Sequence, residues 1–133
     1  MKSVKYFVFA ALLLLATFVP FNSFAAESVS TTEFGTFSYD LVKEICDRCS
    51  DVRISGYTNI TIPKSSTTVM ITAELQDSAT GRTITTYSDA KPGGTRAYIG
   101  FTWKGETIPQ YSVFSCHEAR GNDNIARYLK VTF

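Results

Sequence analysis

Cys46, Cys49, Cys116 and His117 carry most of the chemistry open to this chain. In the stretch EICDRCSD the first two stand three apart, the spacing of a redox couple, of half a metal site or of a structural thiol pair. A redox couple needs its attacking thiol at a helix N-terminus, where the dipole lowers the thiol pKa. Leu41, Val42, Ile45, Cys46 and Cys49 recur at helical spacing, which predicts a short helix over Asp40–Arg48. The pair falls at the C-terminal end of that helix, where the dipole disfavours a thiolate. No βαβ pattern surrounds them.

Adding Cys116 and His117 completes a Cys₃His ligand set on paper. The two are adjacent in a predicted strand, however, and neighbouring strand side chains point to opposite faces. Ser50 stands where haem attachment would require a histidine. Neither a metal nor a cofactor is expected. The remaining reading is a disulfide. Cβ atoms three apart on a helix are about 5–6 Å from each other, whereas a bridge needs about 3.8 Å. One of Cys46 and Cys49 is therefore expected to pair with Cys116, leaving one thiol over.

His117 is the only histidine, so a nucleophilic triad would have to use it with Ser112 or Ser115. The G-x-S-x-G elbow is absent, and strands rich in Ser and Thr bring such pairs onto one face by chance. Glu106 and Glu118 have nothing to place them in a shared cleft. Asn122, Asp123 and Asn124 read as a turn, because calcium wants more charge than one carboxylate. No catalytic residue is nominated and the chain is read as non-enzymatic.

The elements that must hold these residues come after an N-terminal stretch with the marks of an export signal. Lys2 and Lys5 precede an apolar run from Phe7 to Val19, and Ser23-Phe24-Ala25 supplies a small-x-small cleavage pattern. Residues 1–26 are read as a signal peptide and 27–133 as one β-rich domain, secreted or periplasmic. Without Lys2 and Lys5 the chain has 11 basic against 12 acidic residues. The charges are interspersed, so neither nucleic acid nor anionic lipid is indicated as a partner.

Glu27 to Glu33 is polar and expected to fray. From Val52 onward the period is two. Val69, Ile71, Ala73 and Leu75 form the clearest inward face, and Ile54, Ile60 and Ile62 form another. Ala97, Ile99, Phe101 and Trp103 make a third. DSATG, KPGG and EARGNDN are turns or loops by composition. The fold class expected is mainly β: a small antiparallel sandwich or barrel of about six to seven strands, with the one N-terminal helix.

Exposed tyrosines beside arginines are typical of recognition surfaces. Tyr98 alternates outward between Arg96 and Lys104, and Tyr128 alternates outward beside Lys130. The residues nominated for binding are Arg96, Tyr98, Trp103, Lys104, His117 and Arg120, on a sheet face plus the loop at 91–96 and the tip at 117–124. The function expected is that of an exported binding protein, of secreted effector or inhibitor type, with a protein or glycan partner. A membrane-active toxin or barrel-forming protein is the alternative, so a membrane partner is kept behind the first. A small secreted enzyme or thiol-redox protein stands behind both.

Overall fold

The computed structural model describes residues 26–45, 51–104 and 110–133. Eight strands run in chain order: β1 (Glu27–Thr31), β2 (Gly35–Ile45), β3 (Asp51–Ile60), β4 (Thr68–Asp77), β5 (Thr83–Pro92), β6 (Arg96–Lys104), β7 (Tyr111–Arg120) and β8 (Asn124–Thr132). They form two four-stranded antiparallel sheets, ordered β1-β2-β3-β6 (sheet A) and β5-β4-β7-β8 (sheet B). The architecture is a β-sandwich. Among the described residues no strand pairing joins the two sheets, so a closed barrel is not formed.

Strands β2 to β8 each contribute a face to the space between the sheets, as the two-residue period demands. Phe37, Tyr39 and Leu41 enter from β2, Ile54, Thr58 and Ile60 from β3, and Ala97 and Ile99 from β6. Val69, Ile71, Ala73 and Leu75 of β4, with Val113 and Ala119 of β7, meet them from sheet B. Burying each large aliphatic or aromatic side chain stabilises the fold by about 1.5–3 kcal/mol. Gly56 leaves no room for a side chain between the sheets. A Cβ there would stand 3.0 Å from both the Ile71 Cδ1 and the Asp40 carbonyl oxygen.

Two expectations about the N-terminal part are overturned. The helix over Asp40–Arg48 is not formed, since residues 40–45 complete strand β2 in register with β3 from Phe37↔Ile60 to Ile45↔Val52. Residues 46–48 lie outside those described. The expected frayed stretch contains β1, pairing Glu27↔Tyr39 through Thr31↔Gly35. Ile62 lies past the end of β3 and is 46% exposed, so it does not share the core face of Ile54 and Ile60. The turns at DSATG and KPGG form as read: the Asp77 carboxylate accepts from the amides of Ala79 and Thr80, and Gly93 takes a φ of 67°.

Of the expected EARGNDN loop only residues 121–123 form the turn, since β7 runs to Arg120 and β8 begins at Asn124, and this turn is held from the other sheet. Glu33, between β1 and β2, accepts hydrogen bonds from the Asn122 amide at 2.9 Å and the Asp123 amide at 2.6 Å. These bonds hold its carboxyl below the usual carboxylate range. A Cβ at Gly121 would collide with the same carboxylate. Glu33→Ala is expected to lower the melting temperature by several degrees, because both amides and the tie between the sheets lose their partner. An unchanged thermal melt would show that the turn holds without it.

Candidate functional site

Sheet A presents an aromatic and cationic cluster on its outer face. Ala97 and Ile99 of β6 point inward, so Arg96, Tyr98 and Gly100 point out. The β3–β6 register sets Asn59 opposite Arg96, Tyr57 opposite Tyr98 and Ser55 opposite Gly100. The Arg96 guanidinium lies 4.4 Å from the centroid of the Tyr57 ring, a cation–π contact that holds a long side chain in one place. Tyr98 is 52% exposed.

The position of the Tyr98 ring depends on the missing side chain at Gly100. A Cβ there would be 2.8 Å from the phenolic oxygen and 3.2 and 3.3 Å from two ring carbons. The ring therefore leans along its own strand over the glycine. Its backbone is pinned as well: the Tyr98 amide donates to the Asp89 carboxylate of β5 at 3.0 Å, and Asp89 also pairs with Lys91 at 3.0 Å. Those contacts hold the Asp89 carboxyl below its usual range. They also cover an amide on the open edge of β6, where another strand could otherwise add.

His117 sits elsewhere. It is fully buried between the sheets, not at the β7–β8 tip. Its Nδ1 is 3.0 Å from the Tyr57 carbonyl oxygen and 3.0 Å from Thr58 Oγ1, and its Nε2 is 2.7 Å from Ser115 Oγ. A carbonyl can only accept, so Nδ1 carries the proton and Nε2 accepts from the Ser115 hydroxyl. Tyr39 packs on the imidazole with ring centroids 5.3 Å apart. Burial pulls the His117 pKa down to about 4, which keeps the ring neutral. The Ser115–His117 pair resembles a nucleophile and base in distance alone, for both residues are sealed from solvent.

The other nominated residues scatter. Lys104 shares the outer face of sheet A but lies six residues along β6 from Tyr98, about 20 Å away, with Asp51 at 4.0 Å. Trp103 faces inward and packs edge-on against Tyr111, with centroids 5.4 Å apart. Arg120 is on sheet B, paired with Glu118 at 3.0 Å. Only Arg96 and Tyr98 are brought together. Tyr57 and Gly100 belong with them and were not nominated from sequence, because the β3–β6 pairing is non-local and no short-range pattern reports it.

Cys116 is a free thiol, so the expected bridge from Cys46 or Cys49 is not made. Ser115 and His117 take the inward positions of β7, so Cys116 faces away from the core. Cys116 occupies the outer face of sheet B, opposite Tyr128 of β8. Cys46 and Cys49 lie outside the described residues. Burial, with Glu118 nearby, pushes the Cys116 thiol up to about 11. At pH 8 its alkylation is expected to run roughly a hundredfold slower in the folded chain than in urea, in proportion to the lost thiolate. Equal rates in a timed iodoacetamide assay would contradict this placement.

No family model matches the chain, and no curated protein matches it. Among solved structures it is similar to a β-glucuronidase of glycoside hydrolase family 2, with 11% identity and a TM-score of 0.40, over 70% of this chain and 11% of that one. It is similar also to an endonuclease/exonuclease/phosphatase from Beutenbergia cavernae, with 21% identity and a TM-score of 0.37, over 82% of this chain and 27% of that one. A third is chicken MD-1 complexed with lipid IVa, with 16% identity and a TM-score of 0.27, over 83% and 97% of the two chains. This chain thus spans a small part of the first two. At these TM-scores the likenesses carry no function across.

Proposed function

We propose that this chain is an exported, non-catalytic binding protein of secreted effector or inhibitor type, which engages a protein or glycan partner through the outer face of sheet A. The observation that supports this reading best is the Tyr57–Arg96–Tyr98 cluster: an exposed ring seated over a glycine, on the same strand face as a guanidinium held over the Tyr57 ring. Ordering a side chain before the partner arrives reduces the entropy lost on binding. Export is argued from the apolar run behind Lys2 and Lys5. The non-catalytic part rests on the burial of His117 and Ser115.

The test compares two faces of one molecule. Residues 27–133 carry all eight strands and the whole described core, so this segment is immobilised as wild type, Tyr98→Ala and Tyr128→Ala. Tyr128 is 49% exposed on the opposite sheet and serves as the control. Capture of a partner from the surroundings into which the chain is exported should be lost with Tyr98→Ala and kept with Tyr128→Ala. Capture indifferent to Tyr98 would move the binding surface off sheet A.

A further inference from the structure

We infer that the ligand of this face is an acidic saccharide, a pyranose bearing a carboxylate, stacked on Tyr98 with its carboxylate on Arg96; this rests on the binding reading above. A pyranose ring has an apolar face of C–H bonds and a rim of hydroxyls, so it lies flat on an aromatic ring and hydrogen-bonds at its edges. Tyr98 offers such a ring, half exposed and leaning along the sheet because Gly100 leaves the space beneath it. A glycine in a strand interior costs stability relative to alanine. Here the space it leaves is taken up by the tyrosine.

Arg96 supplies the charge. Two residues apart on one strand face, Arg96 and Tyr98 have Cα atoms about 7 Å apart. The guanidinium lies over the Tyr57 ring, and no hydrogen bond or ion pair within the described residues occupies its N–H groups, whose fork matches a carboxylate. Among the described residues no carboxylate pairs with Arg96. Asp89 is committed to the Tyr98 amide and to Lys91. Asp40, opposite Tyr57 on the far side from Tyr98, is 8% exposed, with its Oδ1 accepting from the Leu41 amide. Asn59 and Ser55, half-buried on the same face, offer neutral donors and acceptors for the sugar rim.

The experiment is affinity electrophoresis and calorimetry of residues 27–133 against polygalacturonate and alginate as carboxylated polysaccharides. Dextran serves as a neutral polysaccharide and polyglutamate as a carboxylated polymer without sugar. Binding is expected to polygalacturonate or alginate, and to neither of the other two. Tyr98→Ala and Arg96→Gln should each weaken it at least tenfold. Arg96→Lys, which keeps the charge and loses the fork, should weaken it nearly as much. Gly100→Ala should weaken it several-fold while leaving the thermal melt unchanged or raised, which separates ring placement from folding. Equal binding to polyglutamate would reduce the effect to charge, and preference for dextran would remove the carboxylate from the account. Wild-type affinity in Gly100→Ala would show that the seated ring is not the platform. Binding to none of the polymers, with partner capture still lost in Tyr98→Ala, would overturn the saccharide and leave the binding face standing.

Discussion

Replacing His117 by alanine is expected to destabilise the fold by about 3–5 kcal/mol, the range for emptying a large, fully buried core position. Two costs combine. The imidazole leaves a cavity between β3, β4 and β7, under the Tyr39 ring. Its partners, the Ser115 hydroxyl and the Tyr57 carbonyl, lose the groups that satisfied them in a dry interior. Ser115→Ala removes only the hydroxyl donor and should cost about 1 kcal/mol. Urea titration followed by Trp103 fluorescence measures both. A His117→Ala variant within about 1 kcal/mol of wild type would mean that the imidazole is not a structural member of the core. Since small domains are held by only about 5–15 kcal/mol in all, any loss of binding in this variant must be corrected for the fraction folded. An alanine at 117 therefore tests the fold before it tests chemistry.

The buried position of His117 was readable from strand phase. Val113, Ser115, His117 and Ala119 fall on one face at period two, and their buried ends are apolar. Composition pulled the other way, because a histidine next to a polar turn resembles a loop-edge residue. β4 was plain for the opposite reason: its inward residues are all apolar, and polar Thr68, Thr72 and Glu74 stand among its outward ones. β2 carries a helical signal because Leu41, Val42 and Ile45 fit a helical period. Its outer face is also partly covered, with Asp40 buried and Val42 half-buried, so the alternation of polar and apolar residues fades there. β1 is an edge strand of five mostly polar residues and has no periodic signal to offer.

The candidate site was half legible. Arg96 and Tyr98 share a strand, so alternation alone sets them on one exposed face. Tyr57 joins them only through a pairing of strands separated in sequence by β4 and β5. Nothing local specifies that neighbour. Gly100 reads as a strand weakness until the ring above it is located.

Acid should unfold this protein earlier than its carboxylates alone would cause. His117 has a folded pKa of about 4 against 6.5 for the free group, so the folded state disfavours the proton and unfolding takes one up. The stability held by the neutral ring is complete above pH 6.5 and is lost as pH falls toward 4. The total is about 3 kcal/mol at about 1.4 kcal/mol per pKa unit. Groups near the ring do not supply this slope. Tyr39, packed on it, is raised to about 12 by burial and by its hydrogen bond to Glu27, so it stays neutral throughout. Arg127, the cross-strand partner of His117, brings no carboxylate to this window. Glu33 and Asp89, with lowered pKa values, stabilise above the ordinary carboxylate range and lose that contribution only below it. Asp40, raised by burial, acts with the opposite sign as it protonates. Between pH 6.5 and about 4.5 the fall therefore belongs to the histidine. Urea midpoints at pH 7, 6, 5 and 4.5 should drop steadily in wild type and stay flat in His117→Asn, whose amide keeps a donor near the Tyr57 carbonyl. An equal drop in both would assign the acid sensitivity to another group.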